Sequence, residues 1–283
     1  MSPAVIALIA LGAVTHASWN LWIKRTGAGG PLFVWLTAVV ASVCVLPFAI
    51  LLHGDIRWND LLLAGGVSAV LHIAYFLLLQ RGYRAGDVSV VYPLARGSGP
   101  LITVIVAVAV LGERPGLQAL VGAGVVIAGV MVIGFAGGRQ GMRAAGPGVA
   151  YGLLTGCTIA AYTLWDAHAV TTLAVAPVVL SLGSTVGQAV LLAPAAIARP
   201  ARLREMVRMH WRDALVVGIL SPLSYISILF AMTMAPVSVV APGREVSVVL
   251  VGLAGWLLFR EPHPVQRLLG AGTVLVGVAL LAL

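Results

Sequence analysis

Stretches of about twenty apolar residues alternate with short polar breaks from one end of the chain to the other, and this rhythm constrains the fold more than any motif. A helix rises about 1.5 Å per residue, so such a stretch covers the roughly 30 Å of bilayer hydrocarbon. Ten spans can be drawn, at about 4 to 22, 32 to 52, 61 to 80, 88 to 111, 117 to 136, 147 to 168, 175 to 197, 214 to 234, 237 to 258 and 268 to 283. The breaks carry turn residues and charge, as in RTGAGGP, HGDIRWND and GGRQGMRAAGPG, while ARPARLREMVRMHWRD before the eighth span suggests a basic surface helix. Only 9% of residues are charged, against roughly a quarter in soluble domains. No soluble domain fits between the spans. The expected fold is therefore an all-α integral membrane protein with ten transmembrane helices. The first span has no basic residues before it and Lys24 and Arg25 after it, which suits an uncleaved helix better than a secretory signal.

The two halves of the chain resemble one another. Ala17-Ser18-Trp19-Asn20-Leu21-Trp22 aligns without gaps on Ala160-Ala161-Tyr162-Thr163-Leu164-Trp165. Val88-Ser89-Val90-Val91-Tyr92-Pro93 then matches Val237-Ser238-Val239-Val240-Ala241-Pro242, and after a one-residue shift Glu113 falls on Glu261. Gly122, Gly124 and Gly129 follow on Gly270, Gly272 and Gly277. Each repeat, 1–143 and 144–283, holds five spans. An odd number forces the second repeat to enter the membrane from the opposite side. An inverted repeat of this kind is a signature of secondary transporters, in which one half rocks against the other about a midplane site.

The segments His16-Ala17-Ser18-Trp19-Asn20-Leu21-Trp22-Ile23-Lys24, Pro93-Leu94-Ala95-Arg96-Gly97-Ser98-Gly99-Pro100-Leu101 and Ala241-Pro242-Gly243-Arg244-Glu245-Val246-Ser247-Val248-Val249 resemble the drug/metabolite transporter superfamily, EamA type. So do the span ends at Glu113 and Glu261, each followed by a helix with spaced glycines. The resemblance covers the whole chain. It implies helices one to four and six to nine around a central cavity, with helices five and ten packed outside. It also implies movement of amino acids, nucleotide sugars, other small metabolites or drugs. The His-Ala-x-Trp-Asn form of the first helix is similar to a subgroup associated with phosphonate utilisation.

Charge placement gives an orientation that departs from the usual family pattern of cytoplasmic termini. The odd-numbered loops carry Lys24, Arg25, Arg81, Arg84, Arg139, Arg143, Arg199, Arg202, Arg204, Arg208, Arg212, Arg260 and Arg267, and the even loops only Arg57 and Arg114. Positive residues stay cytoplasmic. Both termini of this inner-membrane protein are thus expected outside. The formal net charge of +8 is accounted for at span ends and does not point to nucleic acid.

Arg96 and Arg244 lie inside spans, at positions that the repeat alignment pairs. An arginine at a span centre costs about 2.5 to 3.5 kcal/mol on insertion scales, so each needs a partner or a wet cavity. Coming from opposite faces, the two can meet near the midplane and present planar donor forks to a carboxylate or phosphonate. Pro93, Pro100, Pro242, Gly97, Gly99 and Gly243 are expected to interrupt the helices there. Glu245 points about 100° away from Arg244 on a helix. It can receive a substrate ammonium or a proton, or it can simply pair with an arginine and fix packing. His16 and Asn20 share a helix face beside Trp19 and read either as solute ligands or as hydrogen bonds between helices. Tyr162 and Trp165 are their repeat counterparts. Asp166 is as consistent with an interfacial place as with a functional one. His72, Tyr75, Tyr92 and Tyr225 complete the candidate substrate-binding set.

Glu113 and Glu261, next to Arg114 and Arg260, read as capping or interfacial pairs. The Gly122-x-Gly124 and Gly270-x-Gly272 glycines read as packing positions, since no strand precedes them as a nucleotide loop requires. Cys44 and Cys157 read as small core residues. No H-E-x-x-H helix, Ser-His pair or carboxylate cluster suggests an intramembrane enzyme, a metal or a cofactor. The expected function is secondary active transport, with export as the direction, of a small carboxylated or phosphonylated metabolite such as an amino acid or related zwitterion. A proton is the candidate coupling ion, and the lipid bilayer is the only constant partner. Monomer and homodimer both remain open. The alternatives are a lipid-linked carrier flippase or a drug exporter on the same fold.

Overall fold

The computed structural model describes residues 1–52, 57–86, 88–134, 146–259 and 264–283. Glu261, Arg139, Arg143, Arg260 and the expected repeat boundary at 143/144 lie outside the described residues, as do His53 to Ile56 of the second break. The described residues form eleven helices and no strand: α1 (Pro3–Thr26), α2 (Pro31–Leu51), α3 (Trp58–Ala85), α4 (Val88–Ala109), α5 (Leu117–Gly134), α6 (Gly146–Thr171), α7 (Pro177–Ile197), α8 (Pro200–Met234), α9 (Val237–Gly243), α10 (Val246–Phe259) and α11 (Pro264–Ala282). The pair α9 and α10 together make the ninth span. The expected surface helix before the eighth span is continuous with that span in α8, bent where His210 takes a non-helical φ of −124°.

The ends follow ordinary capping chemistry. Proline stands in the first turn of α1, α2, α7 and α8, where its missing N–H is not needed. Ser2 caps α1, and Gly27, with φ +69°, closes it by donating to the Ile23 carbonyl. Lys24 and Arg25 occupy the last turn, favourable for the helix dipole. By length and composition α1, α2, α3, α4, α7, α8 and the segment Val237–Ala254 can each cross a membrane. The α6 helix is absent from that group although it lies among them. It is the helix that carries Tyr162, Thr163 and Asp166 inward.

Packing obeys the two-fold symmetry that the repeats require. Helix α4 packs on α6 as α10 packs on α1; α1 on α8 as α6 on α3; and α2 on α8 as α7 on α3. Helix α2 meets its own counterpart α7, and α5 meets its counterpart α11. The last contact shows the inversion directly. A Cβ on Gly129 would lie 2.8 Å from the Gly270 carbonyl oxygen, and one on Gly277 would lie 2.8 Å from that of Gly122. Residues 122 and 270 are repeat equivalents, so the pairing of 122 with 277 and 129 with 270 makes the two helices antiparallel about a perpendicular two-fold axis. Close approach here depends on glycine, as in small-residue packing of membrane helices generally. The companion glycines Gly124 and Gly272 meet nothing within 4 Å, so the packing role expected of them is a correction. The Met1 ammonium donates to the Ala282 carbonyl at 2.7 Å, which sets both termini at one end of the bundle.

Glu113 acts across the two halves. Its two carboxylate oxygens accept from the backbone N–H groups of Val237 (2.9 Å) and Ser238 (3.0 Å), capping α9 from the end of the fourth span. The role is structural, as the sequence suggests, but its partner belongs to the other repeat.

Candidate functional site

A cavity of about 240 Å³ lies among α1, α2, α3, α4, α6, α7, α8 and the α9–α10 break. Helices α5 and α11 contribute nothing to its wall and pack on each other outside.

The cationic end is built by both repeats. Arg96 is carried by α4, and Arg244 by the turn between α9 and α10. Proline at 242 removes one donor, and the chain tightens, with the Glu245, Ser247 and Val248 amides each bonding three residues back. The interruption expected from proline and glycine occurs here. In the first repeat Pro93 and Pro100 leave α4 continuous from Val88 to Ala109, so the expected break there does not occur.

Arg96 is 8% exposed and Glu245 1% exposed. Arg96 Nη1 lies 3.9 Å from Glu245 Oε1 and Arg244 Nε 3.4 Å from the same oxygen. Both separations are longer than a good charged hydrogen bond of about 2.7 to 2.9 Å. Glu245 Oε2 and Arg244 Nη2 have no hydrogen-bond partner among the described residues. The pairing that would lock an arginine as scaffold is therefore present but loose. One carboxylate shared between two guanidiniums leaves one positive charge in excess.

Arg96 Nη2 is 2.7 Å from His16 Nε2. A guanidinium can only donate, so this ring nitrogen accepts and His16 is the neutral tautomer protonated at Nδ1. Trp19 stands edge-on to His16 at 4.9 Å, and its indole N–H has no partner among the described residues. The Arg244 guanidinium lies 5.8 Å from the Tyr162 ring centre, within cation–π reach. Tyr162 stacks on His72 at 4.3 Å and meets Tyr75 edge-on at 5.9 Å.

Another part of the cavity lining is anionic and hydroxylic. The Tyr225 hydroxyl donates to Asp166 Oδ2 at 2.7 Å, and Ser68 Oγ lies 3.2 Å from both the Tyr225 and Ser184 oxygens. Asp166 is 1% exposed and lines the cavity, which places it inside and not at the interface.

Of the candidate residues, His16, Trp19, His72, Tyr75, Arg96, Tyr162, Tyr225 and Arg244 line the cavity together. Four do not. Glu245 lies behind the arginines. The Asn20 amide donates back to the His16 carbonyl at 2.7 Å. Trp165 ties α6 to α3 by donating to the Ala64 carbonyl at 3.0 Å. Tyr92 supports Arg96 from its own helix, with the guanidinium 5.7 Å from its ring centre.

Sequence reasoning overlooked the hydroxyl wall. Ser181, Ser184, Thr185 and Gln188 all line the cavity from α7. Their spacing of three, four and seven residues is a polar stripe along one helix face in an otherwise apolar span, and that was the available signal.

The buried apolar clusters toward the two ends of the bundle are unequal. A broad one includes Val5, Ile9, Val45, Val179, Leu229 and Val240, which lie toward the even-loop ends of their spans. At the odd-loop end the buried cluster is Ala28, Phe33, Ala214 and Val217.

A model of the EamA-like transporter family matches residues 3–135 and 146–283. A solved crystal structure of a protein shares the fold, with TM-score 0.79 over 98% of this chain and 98% of that chain at 17% identity. No curated protein sequence matches the chain.

Proposed function

The chain belongs to the EamA-like transporter family, and on that premise we propose that this multi-pass membrane transporter of small molecules carries a small polar metabolite bearing a carboxylate or phosphonate. The single observation behind this reading is the excess charge where Arg96 and Arg244 share Glu245 beside the cavity. A monoanion would complete that charge balance and occupy the unpartnered Arg244 Nη2. Arginine forks hold carboxylate or phosphonate oxygens in a way that a point-charge ammonium does not.

Alternating access is the proposed mechanism. The repeats are equivalent in sequence, yet the buried apolar clusters toward the two ends of the bundle differ. Exchange of that asymmetry between the halves would expose the site to each side in turn. With the basic odd loops in the cytoplasm of an inner membrane, the smaller cluster lies on the cytoplasmic side, from which solute would load. Export follows, with protons as the coupling ion and both termini outside. The cavity volume of about 240 Å³ is below the roughly 300 Å³ at which drug-sized pockets begin. This disfavours a lipid-linked carrier flippase or a drug exporter. The fold and site also favour transport over enzymatic chemistry.

The test is a thermal-shift screen of the purified protein with amino acids, aminophosphonates and organic acids, followed by uptake of each stabilising solute into inside-out vesicles. Stabilisation and uptake confined to anion-bearing solutes are expected. Uptake of uncharged solutes alone would overturn the reading.

A further inference from the structure

We infer that the Asp166 wall is a primary-ammonium site, so that the transported metabolite is a zwitterion whose cationic end is held by Asp166, Thr163 and Ser181. The inference rests on the anion site proposed above. It moves the cation-binding role from Glu245, where the sequence placed it, to a residue that lines the cavity.

Glu245 is unsuited to a solute cation. It does not line the cavity, and its neighbours are two arginines that would repel an ammonium. Asp166 has the opposite surroundings. Its Oδ2 is satisfied by Tyr225, but Oδ1 has no partner among the described residues although the side chain is 1% exposed. A buried carboxylate with one bare oxygen is costly unless a cation or donor meets it.

Two further acceptors are bare on the same wall. Thr163 and Ser181, 1% and 0% exposed, line the cavity, and neither Thr163 Oγ1 nor Ser181 Oγ has a partner among the described residues. This is unusual for the chain. Thr15, Thr103, Thr155 and Ser227 all donate to a carbonyl four residues back in their own helices. Thr163 and Asp166 are three residues apart on α6, so their side chains share a face. Ser181 lines the same cavity from α7.

The stoichiometry fits a particular group. An alkylammonium has three N–H donors and no acceptor. The wall offers three unsatisfied oxygens, one of them charged. In formal charge the two arginines balance Glu245, which supports them, and Asp166 in the lining, giving a neutral site. Such a site complements a neutral dipolar solute and leaves either half of it undercompensated if only one end is charged.

The experiment compares each amine with its deaminated acid on the full-length protein in detergent. The pairs are alanine with propionate, β-alanine with propionate, 4-aminobutyrate with butyrate, and 2-aminoethylphosphonate with ethylphosphonate. Their differing lengths cover the unknown separation of the poles. In the wild type at least one amine should bind tenfold or more tightly than its partner acid. Asp166→Asn should abolish that difference by weakening the amine alone. Thr163→Val and Ser181→Ala should each give a smaller loss in the same direction, which keeps the test available if Asp166→Asn fails to fold.

Equal binding of amine and acid by the wild type in every pair would overturn the inference while leaving the anion reading intact. So would an Asp166→Asn protein that loses amine and acid equally. Amine binding that disappears when sodium is replaced by choline would show that the wall holds a metal cation instead. Failure of any of these anions to bind the wild type would overturn the anion reading and this inference together.

Discussion

Arg96 and Arg244, equivalent positions in two inverted repeats, reach the same buried oxygen, Glu245 Oε1, at 3.9 and 3.4 Å. Each enters from the opposite face of the bundle. Residues about 150 positions apart thereby share one counter-charge. This makes the cluster the natural place to separate binding from packing.

Arg96→Lys keeps the charge but loses the planar fork. Transport of anionic solutes should weaken about tenfold or more, because a charge-assisted hydrogen bond contributes roughly 1.5 to 3 kcal/mol. Thermal stability should fall much less. The measurement is solute affinity and melting temperature on the same preparation; unchanged affinity would remove Arg96 from the binding site.

Removing one member of the buried cluster should leave an unpaired charge. Arg96→Met and Glu245→Gln are each expected to destabilise the protein, whereas Arg96→Met combined with Glu245→Leu should largely restore the melting temperature. Transport by the double variant should stay impaired. If it transports at the wild-type rate, Arg96 is scaffold and the solute binds elsewhere.

The contact of α5 with α11 supplies a control within one motif. Gly270→Ala puts a Cβ 2.9 Å from the Gly129 carbonyl oxygen, and backbone there cannot yield without separating the helices. Gly272→Ala meets nothing within 4 Å and should be neutral or stabilising by up to about 1 kcal/mol through reduced backbone entropy. The melting temperature should fall for Gly270→Ala and hold or rise for Gly272→Ala.

Glu113→Ala should expose the first amides of α9, with a loss of about 1 to 3 kcal/mol of stability. Because α9 leads directly into the Arg244 turn, transport rate should drop along with melting temperature. Glu113→Gln, which retains acceptor capacity on one oxygen only, should fall between the wild type and Ala.

A tag placed after Leu283 should be accessible on intact cells, since the basic odd loops hold the other face in the cytoplasm. The N-terminus should label with it, because Met1 and Ala282 are hydrogen-bonded. Labelling only after permeabilisation would establish the orientation usual for the family.

The sequence by itself determined the number of spans, the inverted repeat and the two intramembrane arginines. Each of these depends on local composition or on a pattern repeated along one strand of text. Hydrocarbon admits a continuous apolar helix without reference to its neighbours, so a span can be read residue by residue. Tertiary structure decided what each helix turns toward the cavity. Trp165 and Asn20 look like solute ligands from spacing alone, yet helix rotation aims one at the Ala64 carbonyl and leaves the other on its own backbone. Asp166 reads equally as interfacial or functional, and the α7 hydroxyls give little signal, because a serine or threonine in a span can usually satisfy itself on its own helix. That Ser181 and Thr163 do not, and that they line one cavity with Asp166, follows only from the packing of α6 against α3 and α4 and of α7 against α2 and α3. The physical reason is that hydropathy is a property of a segment, whereas a binding site is a property of faces brought together.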